Sequence, residues 1–305
     1  MIKAAHDAML RGETSYPPTQ GTTALRTAIC KTTAAHPSAK PNPSQVIVST
    51  GAKQVLSNAF LATLNHGDEV IVPAPFWTSY ADIIRFCEAN LVSVPCDAAA
   101  GFKPSASQLS AAITQNTKWL LLNSPNNPSG ALYDADELSS FADVLRANPH
   151  IWLMADEIYE HISYGPFASF LEVAPDLADR MLVINGVSKA YAMTGWRLGW
   201  GIGPNALISA MTGIQGQSTS GTSSISQAAA LAALTGPQEL LAERLNSFQE
   251  RRDFVVTAIN ATCVLDCLTP GGAFYVYPSC SGTFGLTTPD GKTIQDDASF
   301  CEYLL

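Results

Sequence analysis

The sequence predicts an α/β fold in three layers: a doubly wound, mainly parallel sheet with helices on both faces, followed by the start of a smaller α+β domain. Three observations carry this expectation. Four short apolar runs are continuous rather than alternating, as in strands covered on both faces. Helical patterns lie between them, giving the βαβ alternation of a doubly wound sheet. Each run also ends in polar residues, at the carboxyl end where such sheets bind ligands.

In chain order, the first run is QVIVST (Gln45 to Thr50), followed by the helical pattern AKQVLSNAFLATLN (Ala52 to Asn65). The second is KWLLLNSP (Lys118 to Pro125), followed by DADELSSFADVLRAN (Asp134 to Asn148). IWLMADE (Ile151 to Glu157) and MLVINGVSK (Met181 to Lys189) complete the set, and GWGIG (Gly199 to Gly203) reads as a glycine-rich strand. Position alone therefore gathers Ser49, Asn123, Asp156 and Ser188 near one crevice. From Asn205 the chain turns helix-rich: SQAAALAALTG (Ser226 to Gly236) reads as a buried helix, and PQELLAERLNSFQERRDFVVTAINA (Pro237 to Ala261) as a long amphipathic one. A strand pattern, GGAFYVYPS (Gly271 to Ser279), follows. A domain boundary is expected inside the long helix near Asn246, and no internal repeat or low-complexity tract is visible.

With 305 residues, 47% of them apolar, the chain can bury a full core. A formal charge of -9 offers no basic stripe to displace counterions from phosphates, which argues against nucleic acid and for small metabolites. Seven cysteines without a C-x-x-C pair suit free thiols in a reducing compartment, most simply as small buried hydrophobes. The glycosylation sequon Asn260-Ala-Thr262 stands alone. No apolar run approaches a bilayer span, and MIKAAHDAMLRGE lacks a signal peptide's apolar core, so a cytoplasmic enzyme without membrane partners is expected. The five histidines show no H-x-x-x-H spacing, which leaves a metal hydrolase unsupported, and no G-x-x-x-x-G-K marks a nucleotide binder.

Charged residues make up only 14% of the chain, so those beside apolar runs need a reason. A lysine at a strand end facing a cleft, as Lys189 is, becomes a candidate imine-forming amine once desolvation lowers its pKa; the ordinary alternative is a solvated loop lysine. Arg197, between Gly195 and Gly199, presents a planar fork suited to phosphate, or else a surface ion pair. Asp156 ends an apolar run, where a lone carboxylate is costly unless paired; a pyridinium nitrogen would pair it. Its structural alternative is to cap the next helix, a task Glu157 could share.

SPNNPSG (Ser124 to Gly130), ADEIYEH (Ala155 to His161) and GVSKAYAMTGWRLGW (Gly186 to Trp200) occur together, in order, each after a strand. In this combination the chain resembles the class I pyridoxal-phosphate aminotransferases of fold type I, most of all the bacterial aspartate aminotransferases, over nearly its whole length. The resemblance implies pyridoxal 5'-phosphate as cofactor, bound covalently by Lys189, which also moves a proton between the substrate α-carbon and the cofactor. Asp156 matches the acid that keeps the ring nitrogen protonated. Tyr159 and Asn127 match the partners of the ring's O3′, with the Asn127-Pro128 bond a candidate for the cis form. Gly51, Ala52 and Lys53 resemble the phosphate turn that opens a helix, and Ser188 and Arg197 match further phosphate contacts. Trp77, in PAPFWTSY (Pro73 to Tyr80), falls where an aromatic stacks on the ring, though a tryptophan there also suits a core. Trp77 and Asn127 are expected to border the substrate as well.

By the same resemblance, Tyr16 crosses to the partner's phosphate, which implies a homodimer with shared sites. Residues 1–20 then form an interface segment, 21–245 the large cofactor-binding domain and 246–305 the start of an incomplete smaller domain. Three departures stand out. Gly186 replaces a frequent phosphate-touching serine. QSTSGTSS (Gln217 to Ser224) stands where relatives commonly read Ser-Asn-Pro, at a partner contact. The chain is also expected to lack an N-terminal arm with a glycine loop, and the α-carboxylate arginine beyond Leu305. It should then outline the cofactor site without catalysing, with the apolar face of GAFYVYP partly exposed. The implied reaction is ping-pong transfer of an amino group from an L-amino acid, aspartate foremost, to 2-oxoglutarate. The same machinery serves aromatic, alanine and kynurenine aminotransferases and β-elimination lyases, and an aminotransferase-like domain can also act as a cofactor-sensing regulator. The sequence offers no clear cation for a second substrate carboxylate.

Overall fold

A computed structural model describes all 305 residues. Its helices and strands are, in chain order, α1 (Ile2–Leu10), α2 (Thr23–Thr32), β1 (Val46–Ser49), α3 (Ala52–Thr63), β2 (Glu69–Ala74), α4 (Ser79–Phe86), β3 (Asn90–Pro95), α5 (Ala106–Ala112), β4 (Thr117–Asn123), α6 (Ala135–Ala147) and β5 (Trp152–Asp156). After these come α7 (Phe170–Val173), β6 (Met181–Gly186), β7 (Gly199–Ile202), α8 (Asn205–Ser218), α9 (Ser224–Thr235), α10 (Glu239–Asn260) and α11 (Asp297–Leu304). One seven-stranded sheet runs in the order β1-β7-β6-β5-β4-β2-β3. Only β7 is antiparallel to its neighbours, β1 and β6; every other pairing is parallel.

The continuous apolar runs bury both faces of the sheet, with the pleat sending alternate residues to opposite layers. Trp119 and Leu121 of β4 pack with Val55, Phe60, Ile84 and Met211 of α3, α4 and α8. Leu120 and Leu122 join Leu25, Phe141, Phe170 and Ala230 of α2, α6, α7 and α9 on the other side. The result is the three-layer arrangement read from the sequence. Helix α6 shows how local chemistry sets boundaries: Asp134 accepts from the Glu137 amide and Glu137 returns a bond to the Asp134 amide, a reciprocal cap that fixes the first turn.

Three expectations need correction. GGAFYVYPS is not a strand: the segment makes isolated bridges at Ser163–Gly272 and Asp266–Ser279, and no ladder. Its backbone is satisfied by loops instead, Ala273 N–H donating to Ile162 and Gly272 N–H to Gly130, so no neighbouring strand is needed. Ser49 does not face the crevice either. It is fully buried and its hydroxyl donates to Gln215 on α8, because the last side chain of β1 points into a helix layer rather than past the sheet edge. The long helix runs unbroken through Asn246, and Val256 is its one fully buried residue, so its apolar stripe is narrower than the sequence pattern suggests.

Candidate active site

Strands β4, β5 and β6 end side by side, and the residues leaving them meet in a cleft of about 280 Å³. Asn123, Asn127, Asp156, Tyr159, Ser188, Lys189 and Arg197 line it, joined by Ala52 and Lys53 of α3, Tyr80 of α4 and Trp77 from the turn before α4. The antiparallel course of β7 explains Arg197: that strand begins at the edge where β6 ends, so the loop after Lys189 returns at once to the same cleft.

One end of the cleft is built for an anion. Helix α3 has no side-chain cap, and its first N–H groups point out from the positive end of the helix dipole. Gly51 precedes it at φ 88°, a left-handed conformation that glycine adopts without steric cost. A Cβ at Gly51 would collide with the Arg197 guanidinium, so the missing side chain lets the fork lie against the helix start. Gly199 plays a matching part, since a Cβ there would strike the Ala52 backbone. Arg197 itself sits at φ 52°, and its Nη1 donates to the Thr194 carbonyl at 2.8 Å. Holding a non-glycine residue there costs roughly 1–2 kcal/mol, which the surrounding packing must offset.

At the cleft floor, Asp156 is buried and accepts from the Tyr80 hydroxyl at 2.6 Å and from the Ile158 amide at 3.3 Å. Burial raises its carboxyl to about 6, against the lowering effect of those two bonds and of the Lys189 charge. Burial moves Lys189 the other way, below the usual lysine range; Asp156 opposes that shift and Arg197 adds to it. The ammonium stands 5.6 Å from the Tyr159 ring centre and 5.5 Å from that of Phe274. Asn123 bonds the Asp156 carbonyl and accepts from the Asn127 amide, which ties the β4 and β5 ends together. The Asn127-Pro128 bond is cis. Tyr159 shares a 2.7 Å hydrogen bond with Tyr275, which also accepts from Asn127 at 3.3 Å, and burial holds the Tyr159 phenol well above its ordinary range.

Most of the residues read from the sequence therefore meet in one cleft. Gly51 borders it through Arg197, and Tyr16 does not reach it, standing 90% exposed on the surface. The motifs missed Tyr80, Thr194 and Tyr275. Tyr80 lies within the quoted PAPFWTSY, but nothing local says that its hydroxyl meets a carboxylate 76 positions away. Glu157 turns out to serve a cap: its carboxyl accepts from Ser169 and from the Phe170 amide at the start of α7.

Burial, reinforced by Glu160, raises Glu157 to about 8 from an ordinary 4.5. The folded protein binds this proton more tightly than the unfolded chain, so its contribution to stability is full below pH 4.5 and is lost as pH rises through about 8. Glu157→Gln keeps acceptors for both partners without a titrating group. Urea midpoints measured across this range should fall less steeply with pH in the variant than in the wild type.

A fold of this type with a lysine, an arginine fork and a buried carboxylate around one cleft defines a class, and the comparisons agree: the chain belongs to the aminotransferase class I and II family, whose model matches residues 1–305. It is 51% identical to an aspartate aminotransferase of Rhizobium meliloti strain 1021, the match covering 99% of this chain and 74% of that protein. It is 48% identical to an aspartate/prephenate aminotransferase of Cereibacter sphaeroides, over 99% of this chain and 76% of that protein. A crystal structure of the aspartate aminotransferase from Rhizobium meliloti superposes with a TM-score of 0.96 at 50% identity, covering 99% of this chain and 76% of that one. The family implies pyridoxal phosphate as cofactor. No helix is long and apolar enough to cross a membrane.

Proposed function

We propose that the protein is a pyridoxal-phosphate-dependent aspartate transaminase that moves the amino group of L-aspartate to 2-oxoglutarate in two half-reactions. One observation carries this: a lysine with a lowered proton affinity shares a cleft with an anion-binding end and a lone buried carboxylate. The donor set fits the cofactor. Arg197, Ser188 and the uncapped α3 start, with Gly51, Ala52 and Lys53, suit its phosphate. Asp156 suits a protonated ring nitrogen, Asn127 and Tyr159 a ring oxygen, Trp77 a ring face, and Lys189 the aldehyde carbon. When bound, pyridoxal phosphate supplies an electron sink for charge developing at the substrate α-carbon.

The chain's own residues do the rest. Lys189, its proton affinity lowered by burial, accepts a proton from the α-carbon and returns it one position away. Asp156 keeps its negative charge beside the ring, since its carboxyl titrates near 6, below neutral pH. The walls of β5, Trp77 and Tyr275 keep the reacting groups in fixed register. A dicarboxylic substrate is supported by Lys53. Its ammonium lies 4.6 Å from the Trp77 ring centre, donates to Ser79 and forms no ion pair, so it offers a second carboxylate the cation that the sequence did not reveal.

Tyr16 is read as reaching the phosphate of a second copy, which its exposure supports, so the active form is a homodimer with shared sites. Residues 1–20 are taken as the interface segment, 21–245 as the cofactor domain and 246–305 as belonging to the smaller domain; a cytoplasmic location goes with this reading.

Borohydride reduction of the cofactor-loaded protein, followed by peptide mapping, should label Lys189; a label on another lysine would overturn the assignment. A half-reaction panel following bleaching of the cofactor band should show aspartate reacting fastest. Relatives named for both aspartate and prephenate give the second reading, in which the acceptor is a larger oxo acid carrying a ring. Preference for an aromatic or neutral amino donor would sink the aspartate assignment.

A further inference from the structure

Asp156 receives one side-chain hydrogen bond, and it comes from a residue outside the motifs. Tyr80 is 1% exposed and its hydroxyl donates to Asp156 Oδ2 at 2.6 Å. The phenol is delivered by α4, whose Ile84 is locked in the core on that side of the sheet. Its ring meets the edge of Trp77 at 5.4 Å and 85°, so ring and hydroxyl are both held in place. A buried carboxylate with few donors is costly to ionise and free to rotate, and a short bond from an immobile donor counters both effects. Aromatic packing alone would be served equally well by phenylalanine, which makes the hydroxyl the feature to explain.

We propose that Tyr80 is a positioning residue for amino transfer: its hydroxyl fixes the Asp156 carboxylate in one orientation and favours the charged form that faces the cofactor's ring nitrogen. This rests on the reading of Asp156 as the partner of that nitrogen. The other groups around the carboxylate are the Ile158 amide on its own loop, the Lys189 ammonium from the loop after β6, and the Tyr159 and Tyr275 phenols. Of these, Lys189 also favours ionisation. Burial opposes ionisation, and the Tyr80 bond is the largest of the influences that counter it.

The test compares wild type, Tyr80→Phe, Asp156→Asn and the double variant as full-length, cofactor-loaded protein. Removing a donor to the ionised form lets Asp156 take up a proton at higher pH. The acid limb of kcat/KM for Tyr80→Phe should therefore move up by about one pH unit, and pyridoxal phosphate, titrated by fluorescence, should bind about tenfold more weakly. In the Asp156→Asn background the same substitution should change cofactor affinity less than about twofold, because the charge it supports is gone. An unmoved acid limb with unchanged affinity would reduce Tyr80 to a packing ring, and an equal loss in the Asn background would do the same. Should Tyr80→Phe fold poorly, 3-fluorotyrosine at position 80 keeps the ring and strengthens the donor: the acid limb should then move down, and a limb that stays overturns the proposal. Wild type that fails to load the cofactor on Lys189 sinks the functional reading itself. Wild type that loads, with Asp156→Asn impaired and Tyr80→Phe silent, sinks the Tyr80 proposal alone.

Discussion

On the proposed reading, Lys189→Ala should lower the rate of each half-reaction by roughly a thousandfold or more, the scale of losing a general acid–base that would also be the covalent anchor. The expectation follows from where the side chain sits. Lys189 leaves the end of β6 into the cleft, where burial depresses its proton affinity and the Asp156 carboxylate, across the floor, restrains the shift. An amine whose hold on its proton is weakened by burial gives that proton up more readily and can take it back. Alanine removes that ability while leaving Arg197, Ser188 and the α3 start in place, so cofactor should still bind without a covalent link. Lys189→Arg provides the sharper control. It keeps a positive charge but stays protonated throughout the working range. Stopped-flow half-reactions should show both variants about equally impaired. Substantial turnover in Lys189→Arg would mean that charge, rather than proton transfer, is the lysine's contribution.

Asp156→Asn should retain cofactor and lose turnover by about 10²–10³-fold, the usual cost of removing one preorganised charge partner, about 2.7–4 kcal/mol in the barrier. Asparagine is nearly isosteric: its one carbonyl oxygen can still accept from the Ile158 amide while its NH2 faces the Tyr80 hydroxyl, which can turn to accept, so the fold around it should survive. What it cannot supply is negative charge beside the ring nitrogen, and without that charge the ring is a poorer sink. Because burial already lifts the carboxyl to about 6, wild-type activity should itself fall on acidification through that value, while the variant's should not follow the same limb. Near-normal rates in Asp156→Asn would refute the pairing.

The site was legible to different depths, for physical reasons. Strands buried on both faces must be apolar along their length, so β1, β4, β5 and β6 stood out. β3 (NLVSVP) went unread because it is an edge strand with exposed Asn90, Ser93 and Pro95, and β2 (EVIVPA), although buried through its middle, went unread beside it. Lys189, Asp156 and Asn127 were legible because each lies at a strand end or within four residues beyond it, and topology carries strand ends to one edge. Tyr80 and Tyr275 were not, since their partners lie 76 and 116 residues away and only the folded chain sets those distances. GGAFYVYPS misled because alternation of aromatic residues signals a surface to be half-buried, and loops can bury it as well as a ladder can. The free cation on Lys53 was hidden for a similar reason: its role depends on what does not stand opposite it.

The reversed course of β7 has a consequence for how this protein can vary. Lys189 and Arg197 hang on the two ends of one short link, and the far end is stitched residue for residue to β6 on one side and β1 on the other, Gly199 facing both Gly186 and Ser49. Adding or removing one residue in the link would either slide β7 along two partners at once, driving Trp200 and Ile202 into the opposite helix layer, or pull the guanidinium off the helix start. Neither adjustment is local. The interval between lysine and arginine thus behaves as a ruler whose length the sheet enforces, and variation in this region should run to changes of residue type at constant length.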